Sequence, residues 1–519
     1  MTKDNIFIKS TAILAISGMA VKLLSAAYRI PLTRMIGAEG MGKYSAAFNI
    51  FMPFFSLATA GITPTVSRLR AMQDTADIPA FVKIRNKAGS LFGTTSAVLA
   101  VAALAVSYIY SRHIDSPMIF YGVCLLVPNL LFATFEAIYK GISQGSLNML
   151  VTAKAGLLES GAKVIIGITS VYLAGVMIRQ GAGDAQLICA FATISICGLI
   201  CLVYMNRDFA YNYKTDRISN LEITAHTFMS MAVPVAMSAL VVSLSNFVDT
   251  VICLSIVKEI PDSRLMAAYP FVSFTAEDEK AIWLFGVYQG LCLSVTNLIP
   301  SLSAAVGSSG LPFITRSMQS DSPSAVHRHT ERLVRITAFL VVPVSLFVAF
   351  FPNEVLVTLY GDRGAQTRLA TYFLRFMAPV AILSAFSFPL NSILHAGKKS
   401  SSILKILLLA CGVKVISCTQ LCGVGNINIM GCIISQALFQ CIVFGLSVMS
   451  VKKTDKDFTI FRHIALPLVI SYLLLTFLRI FADFVLYTVP TVFKTMFCGG
   501  IFVVVYVTIL LFLGFFVDK

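Results

Sequence analysis

The stretch Leu157-Leu158-Glu159-Ser160-Gly161-Ala162-Lys163-Val164-Ile165 returns 251 residues later as Leu408-Leu409-Ala410-Cys411-Gly412-Val413-Lys414-Val415-Ile416. Six of the nine positions are identical, and one of them is a lysine set among apolar residues. At the same offset Pro128 meets Pro379 and Phe135 meets Phe386, and at offset 248 Pro64-x3-Arg68 meets Pro312-x3-Arg316. Apolar segments resemble one another by chance, so no single match decides anything. A shared offset together with a shared intramembrane lysine points to duplication.

A helix that crosses a bilayer needs about 20 mostly apolar residues. Working outward from the repeat, the chain yields about fourteen such runs, near 8–34, 43–67, 86–110, 118–141, 148–178, 184–205, 226–257, 281–312, 331–351, 369–396, 401–422, 427–450, 462–482 and 493–516. Six spans separate the two copies, and an even number leaves them in the same membrane orientation. Parallel repeats of this kind relate two transporter halves by an axis along the membrane normal. The expected fold is therefore all-α and polytopic. It has an N-terminal lobe over 1–205, an inter-lobe linker over 206–225, a C-terminal lobe over 226–451, and two appended spans over 452–519.

Composition agrees. Of 519 residues, 57% are hydrophobic and 13% charged, and mean hydropathy is +0.83. Soluble domains run about 25% charged, so a soluble enzyme and a disordered chain are both excluded. The net charge of +15 would suggest nucleic acid on a soluble protein. Here it follows the positive-inside rule: with the N-terminus inside, 24 Lys/Arg fall in inside segments and 11 in outside ones, which predicts cytoplasmic termini and no nucleic-acid partner. The acidic Glu277-Asp278-Glu279 run falls outside. The first apolar stretch is long and lacks a small-residue cleavage site, so no removable signal peptide is expected.

The twelve cysteines mostly sit in apolar runs, as at Cys189, Cys197, Cys201 and Cys292, where thiols act as small hydrophobes. Cys418-x3-Cys422 followed by Cys432 reads as helical packing. His327-x-His329 reads as part of a solvated charged loop. No metal site and no cofactor is expected. There is no nucleotide-binding glycine loop and no room for a folded catalytic domain outside the membrane, so the chain reads as a non-enzyme and as a monomer.

Eight charged residues fall inside apolar spans: Lys22, Arg29, Glu136, Glu159, Lys163, Asp249, Arg375 and Lys414. Each costs roughly 2.5–3.5 kcal/mol at mid-membrane, so each should face the bundle interior or a wet cavity. Lys22, Ser25 and Arg29 follow i, i+3, i+7 spacing and share one helix face. Arg29 either snorkels to the outer interface or joins Lys22. Lys22, about 20 Å from either polar end, is too deep to snorkel. Glu159 and Lys163 form an i, i+4 pair, read either as a self-neutralising structural pair or as a cation that switches partner. Asp249 and Lys414 lie at similar depth and could pair as a lock. Asn246 with Asp249 could instead carry a proton or a sodium ion, which the nearby lysine disfavours. Glu136 and Arg375 read as interfacial. Five cations against three acids give a cavity suited to an anionic ligand, and long cationic side chains suit phosphate oxygens.

Lys22-Leu-Leu-Ser-Ala-Ala-Tyr-Arg29-Ile-Pro31-Leu-Thr-Arg34-Met-Ile-Gly37-Ala38-Glu39-Gly40-Met-Gly42-Lys-Tyr44 resembles the stage V sporulation protein B family. So do Ala60-Gly61-Ile62-Thr63-Pro64, the seventh span with Pro234 and Asn246-Phe-Val-Asp249, and Gly423 to Gly431 with Asn426-Ile-Asn-Ile-Met-Gly. The resemblance covers about residues 8–450. It implies membership of the multidrug/oligosaccharidyl-lipid/polysaccharide (MOP) superfamily, a fourteen-helix MATE-like architecture, alternating access, and export of lipid-linked saccharide precursors across a bacterial inner membrane. It also implies cationic substrate contacts on the first helix, where Lys22 and Arg29 match. Together with the charge pattern, the expected substrate contacts are Lys22, Ser25, Arg29, Glu159 and Lys163, and the expected switch or ion-coupling residues are Asn246, Asp249 and Lys414. The sequence departs from lipid II flippases near Ser56-Leu57 and Tyr288-Gln289, where cavity arginines are missing, and at Lys414, where a carboxylate would stand. The rival reading is a cation-coupled drug or metabolite antiporter on the same fold. It would require acid-rich cavities, and the N-terminal half offers only Glu136 and Glu159 against three cations.

Overall fold

The computed structural model describes residues 3–72, 78–146, 148–178, 181–212, 224–272, 279–319, 323–397, 399–424, 427–453, 455, 458–513 and 515. Glu277, Asp278 and Asn426, singled out above, lie outside these. Among the described residues all regular structure is helical: α1 (Lys3–Thr59), α2 (Ile62–Ala71), α3 (Ile78–Ile114), α4 (Pro117–Gly145), α5 (Met149–Ala162), α6 (Ile168–Met177), α7 (Ala182–Asn212), α8 (Ala225–Glu259), α9 (Asp262–Ala268), α10 (Lys280–Gly286), α11 (Leu293–Thr296), α12 (Leu298–Gln319), α13 (Pro323–Phe350), α14 (Pro352–Tyr360), α15 (Ala365–Ala396), α16 (Ser400–Cys422), α17 (Met430–Lys452), α18 (Ile460–Phe484) and α19 (Thr491–Phe512). Two π-helical turns, Lys163–Gly167 and Val287–Cys292, join α5 to α6 and α10 to α11.

Thirteen helical runs among the described residues are long and apolar enough to cross a membrane. The first, Ile16–Ala71, has 56 residues, far more than the roughly 30 Å hydrocarbon core requires of one helix. It supplies two spans. The loop expected between 34 and 43 is reduced to Gly37, whose φ of 71° and ψ of −170° break the helix in a region only glycine enters freely. The second expected span, 43–67, is itself broken at Ala60-Gly61. Pro64 sits in the first turn of α2, where its missing N–H costs nothing.

The chain divides into two compact units, one of Met1–Lys258 with Ala281–Gly286, the other of Glu259–Lys280 with Val287–Lys519. In the first, α1 packs against α3, α4, α5, α6 and α7. Its core includes Ile62, Val66, Ile84, Phe92, Ile138 and Phe228. Two glycines set a close crossing. A Cβ on Gly42 would fall on the Ile282 carbonyl, and one on Gly286 would fall on the Ala38 carbonyl. The obstructing atoms are backbone and cannot turn aside. Gly42→Leu is therefore expected to prevent α10 from seating on α1, a loss of several kcal/mol by the overpacking mechanism. Fluorescence-detected size exclusion should show it eluting as aggregate, while Gly500→Leu, where a Cβ meets open space, should elute normally.

At the α3–α4 turn, Asp115 holds φ of 59° and accepts a 2.5 Å hydrogen bond from Lys258 Nζ, which also donates to the His113 carbonyl at 2.9 Å. The Lys258 hydrogen bond, reinforced by its charge, holds the Asp115 carboxyl below its ordinary value. A depressed carboxylate contributes stability that is present above the unfolded pKa of about 3.9 and is lost as pH falls through the folded value. Asp115→Asn should thus flatten the part of an acid-unfolding curve that lies below about pH 4. An unchanged curve would show the contact to be inert.

In the second unit, Phe351, Leu475, Leu478, Cys498, Phe502 and Tyr506 form a core that ties α18 and α19 to the α13–α14 junction. Arg479 reaches from α18 to Glu354 at 2.7 Å and to Asp483 at 3.0 Å. His327 does not sit in a loop. It lies in α13, where its Nδ1 is 2.8 Å from Asp455 and its Nε2 3.5 Å from Glu331, because the helix already starts at Pro323, a residue favoured in the first turn.

Candidate functional site

Six charged groups of the first unit, Lys22, Arg29, Glu136, Lys140, Glu159 and Lys163, lie on three packed helices, α1, α4 and α5 with its π turn. Val21 of α1 lies against Gly156 of α5, where an added Cβ would be 3.4 Å from its Cγ2. Seven residues on, the Tyr28 ring lies against Gly167, 2.5 Å from the same imaginary atom. So α1 runs along α5 and the π turn from Gly156 to Gly167. At about 100° per residue, Lys22, Ser25 and Arg29 fall about 40–100° round from this packed face. Ile16, Met19 and Leu23, all large, apolar and exposed, fall about 160–220° round. The cationic stripe is therefore a flank between the packed face and the apolar exposed face. Lys22 and Ser25 are exposed and Arg29 is half-buried. Ser25 Oγ is turned back on its own helix, donating to the Val21 carbonyl at 2.8 Å.

Glu159 Oε1 accepts a hydrogen bond from Lys163 Nζ at 2.6 Å, as i, i+4 spacing dictates. Lys163 also opens the π turn. A π turn inserts one residue into the helix and leaves a local bulge, a feature frequent at functional sites. On α4, Glu136 takes Lys140 by the same spacing, and the Cys201 thiol of α7 donates to Glu136 Oε1 at 3.0 Å. Carboxylate oxygens of Glu136 and Glu159 and the Cys201 sulfur all lie within 4.8 Å of one another. That set has the ligand types of a metal site, but an ammonium group already holds each carboxylate. The two Glu–Lys pairs are best read as one neutral network, which a cation would have to break apart.

Sequence reasoning placed Glu136 at the interface and passed over Lys140. The signal was present: Glu136-x3-Lys140 repeats the spacing of Glu159-x3-Lys163. What spacing does not reveal is that α4 and α5 set the two pairs side by side. With Lys22 and Arg29, the six charges sum to +2.

The second group of expected residues stands on other helices, α8 and α16. Asp249 is buried in α8 and Asn246 is exposed. The Asn246 carbonyl accepts from Thr250 Oγ1 at 3.0 Å, and that hydroxyl accepts from Asn49 Nδ2 of α1, also at 3.0 Å. Tyr110 of α3 donates to the Thr250 carbonyl at 3.0 Å. Asn49, Tyr110 and Thr250 were not foreseen, because a lone polar residue in an apolar run gives no clue to its partner. Lys414 belongs to the second unit, is fully buried, and donates to Gln436 Oε1 at 2.6 Å. Its partner differs from that of Lys163 for a plain reason: the repeat puts Ala410 where Glu159 stands, so the ammonium turns to the neighbouring helix. Of the missing arginine positions, Tyr288 and Gln289 are buried within the second π turn. An apolar cavity of about 430 Å³, lined among others by Leu57, Phe92, Val98, Met229 and Ala236, carries no charge.

This is a polytopic, all-α membrane transporter fold with a cationic flank and a neutral ion-pair network in its first unit. Comparison with known proteins gives the same class. The polysaccharide biosynthesis protein family model matches residues 7–318, and the MatE model matches 289–419. The chain belongs to the polysaccharide biosynthesis protein family, within the MOP superfamily. It is 23% identical over 404 residues to stage V sporulation protein B of Bacillus subtilis, covering 75% of this chain and 73% of that one. It is also 23% identical over 422 residues to the lipid II flippase MurJ of the same organism, covering 75% and 72%. Among solved structures, the inward closed conformation of the lipid II flippase MurJ matches with a TM-score of 0.61 at 13% identity, covering 97% of this chain and 98% of that one. An inward-facing multidrug resistance MATE transporter of the MOP superfamily matches at 0.59 and 14%, covering 86% and 100%.

Proposed function

We propose that the chain is an alternating-access flippase that moves an undecaprenyl-diphosphate-linked saccharide, a peptidoglycan or polysaccharide precursor, across the bacterial cytoplasmic membrane, with both termini cytoplasmic. The observation that carries the reading is the charge balance of Lys22, Arg29, Glu136, Lys140, Glu159 and Lys163 on α1, α4 and α5 with its π turn. Both carboxylates are taken by lysines one helical turn away, while Lys22 and Arg29 add two positive charges along α1. A net +2 beside a neutral network favours an anion, and a diphosphate offers oxygens enough for both an ammonium and a bidentate guanidinium. The name of one relative, the lipid II flippase MurJ, supports a lipid substrate.

In this account the lobes are 1–205 and 226–451. The diphosphate sits near Lys22, Ser25 and Arg29, with Glu159 and Lys163 at the edge of the site, and the isoprenoid tail stays in lipid along the C-terminal half, where the spans over 452–519 offer a groove. Asn246, Asp249 and Lys414 bias the inward and outward states. A ligand shifts that balance only through its differential affinity for the two states. Phosphate drawing Lys163 away from Glu159 supplies such a difference, since the network is neutral only while Lys163 holds Glu159 and regains that neutrality when the substrate leaves.

The test is reconstitution into liposomes with fluorescently labelled undecaprenyl-diphosphate saccharide, with and without an imposed potential. A potential of 100 mV is worth about 2.3 kcal/mol per charge moved. Protein-dependent translocation of the diphosphate lipid is expected. Transport of cationic drugs in its place would favour the antiporter reading.

A further inference from the structure

The thiols of Cys418, Cys422 and Cys432 are all fully buried and meet at one end of the α16–α17 pair. Cys418 and Cys422 are i, i+4 on one face of α16, and Cys432 is in the first turn of α17. Their sulfurs lie 3.8 Å apart for Cys418–Cys422, 3.7 Å for Cys418–Cys432 and 3.5 Å for Cys422–Cys432. Four ligands at the zinc–sulfur distance of about 2.3 Å, arranged tetrahedrally, place neighbouring sulfurs about 3.8 Å apart. The triangle is close to three corners of that figure.

Two further features hold this triangle. The first is the close approach of the backbones. A Cβ on Gly431 would lie 2.7 Å from the Cys422 amide nitrogen and 3.0 Å from its sulfur, so glycine beside Cys432 is what lets the end of α16 come so near. The turn between them is pinned by Asn428, at φ 38°, whose side-chain oxygen accepts from the Ile429 amide and the Tyr269 hydroxyl, both at 2.6 Å. The second is a buried cation one helical turn away. Lys414, Cys418 and Cys422 follow i, i+4, i+8 on α16, and Cys432 and Gln436 follow i, i+4 on α17. The Lys414–Gln436 hydrogen bond of 2.6 Å is thus the rung below the thiol triangle.

We propose that Cys418, Cys422 and Cys432 form a three-thiolate site for a soft divalent cation of the zinc class, clamping the end of α16 to the start of α17. Binding exchanges three thiol protons for the metal ion, leaving the three-thiolate complex with a charge of −1. Soft thiolate sets select zinc and copper over magnesium, calcium and manganese. The site is independent of the flippase reading, since its test does not measure transport.

The full chain is purified under reducing conditions, given excess Zn2+ or Co2+, and dialysed. The expected results are one zinc per chain by elemental analysis, three protons released per ion bound, and a sulfur-to-cobalt charge-transfer band with Co2+. A chelator should lower the melting temperature of the wild-type chain. Cys418→Ser, Cys422→Ser and Cys432→Ser should each lose the stoichiometric ion, Lys414→Met should weaken zinc binding about 10–100-fold, and Cys441→Ser, at an exposed thiol of α17, should change nothing. The wild-type measurements need no variant to fold. Less than a tenth of an ion per chain, a disulfide among the three thiols under the same conditions, retention of metal by the triple serine variant, or preference for Cu(I) over Zn2+ would overturn the proposal.

Discussion

Lys22→Ala combined with Arg29→Ala is expected to abolish transport of a diphosphate lipid while leaving membrane insertion and melting temperature close to wild type. The two side chains lie on the flank of α1, exposed and half-buried respectively, and the helix is held through Val21 and Tyr28 on another face. Hydrogen bonds to charged groups contribute about 1.5–3 kcal/mol each, so losing two should lower the transport rate at limiting substrate by about 100-fold or more. Arg29→Lys should retain part of the activity, because an ammonium keeps the charge and loses the bidentate fork. Full complementation by the double alanine variant would remove the basis of the assignment.

The second large effect concerns the Glu–Lys network. Lys163→Met should destabilise the protein by less than the about 3–5 kcal/mol that losing one partner of a fully buried pair costs, because the Lys163 and Glu159 side chains are only partly buried. The loss is aggravated here because Glu159 then faces Glu136 within 4.8 Å. Glu159→Gln with Lys163→Met should recover most of that stability, since neither substitution then leaves an uncompensated charge. Transport separates the two readings of the pair. If Lys163 exchanges Glu159 for substrate phosphate, the double variant should be stable yet impaired. If the pair is structural alone, activity should return with stability. Thermal unfolding in detergent and the liposome assay, run on the same preparations, distinguish these outcomes.

What the sequence disclosed was what local spacing controls. Hydrophobic runs located the spans, and the Glu159-x3-Lys163 spacing required the pair that the structure shows. Hidden features were those that depend on packing between helices. Gly37 reads as one glycine in a loop until its positive φ shows that it breaks an otherwise continuous helix. The π turn at Lys163 leaves no mark in hydropathy, which has the same character on both sides. Glu136 and Glu159 are 23 positions apart, and only the packing of α4 on α5 makes them neighbours. The cysteine spacing 418, 422, 432 reads as helix, and each of these residues is helical. Their convergence depends on the tight turn through Asn428 and on the absence of a side chain at Gly431. The divergence of Lys414 from Lys163 was readable in principle, because Ala410 visibly lacks the carboxylate of its counterpart.

The central claim is that Lys22 and Arg29 hold a phosphorylated headgroup within the membrane. Native mass spectrometry of the protein with undecaprenyl diphosphate and with undecaprenol tests it most directly, because the two lipids share a tail and differ only in the charged group. The account predicts retention of the diphosphate over the alcohol by the wild-type chain, and loss of that preference in Lys22→Gln with Arg29→Gln. Equal retention of both lipids, or an undiminished preference in the double variant, would contradict it.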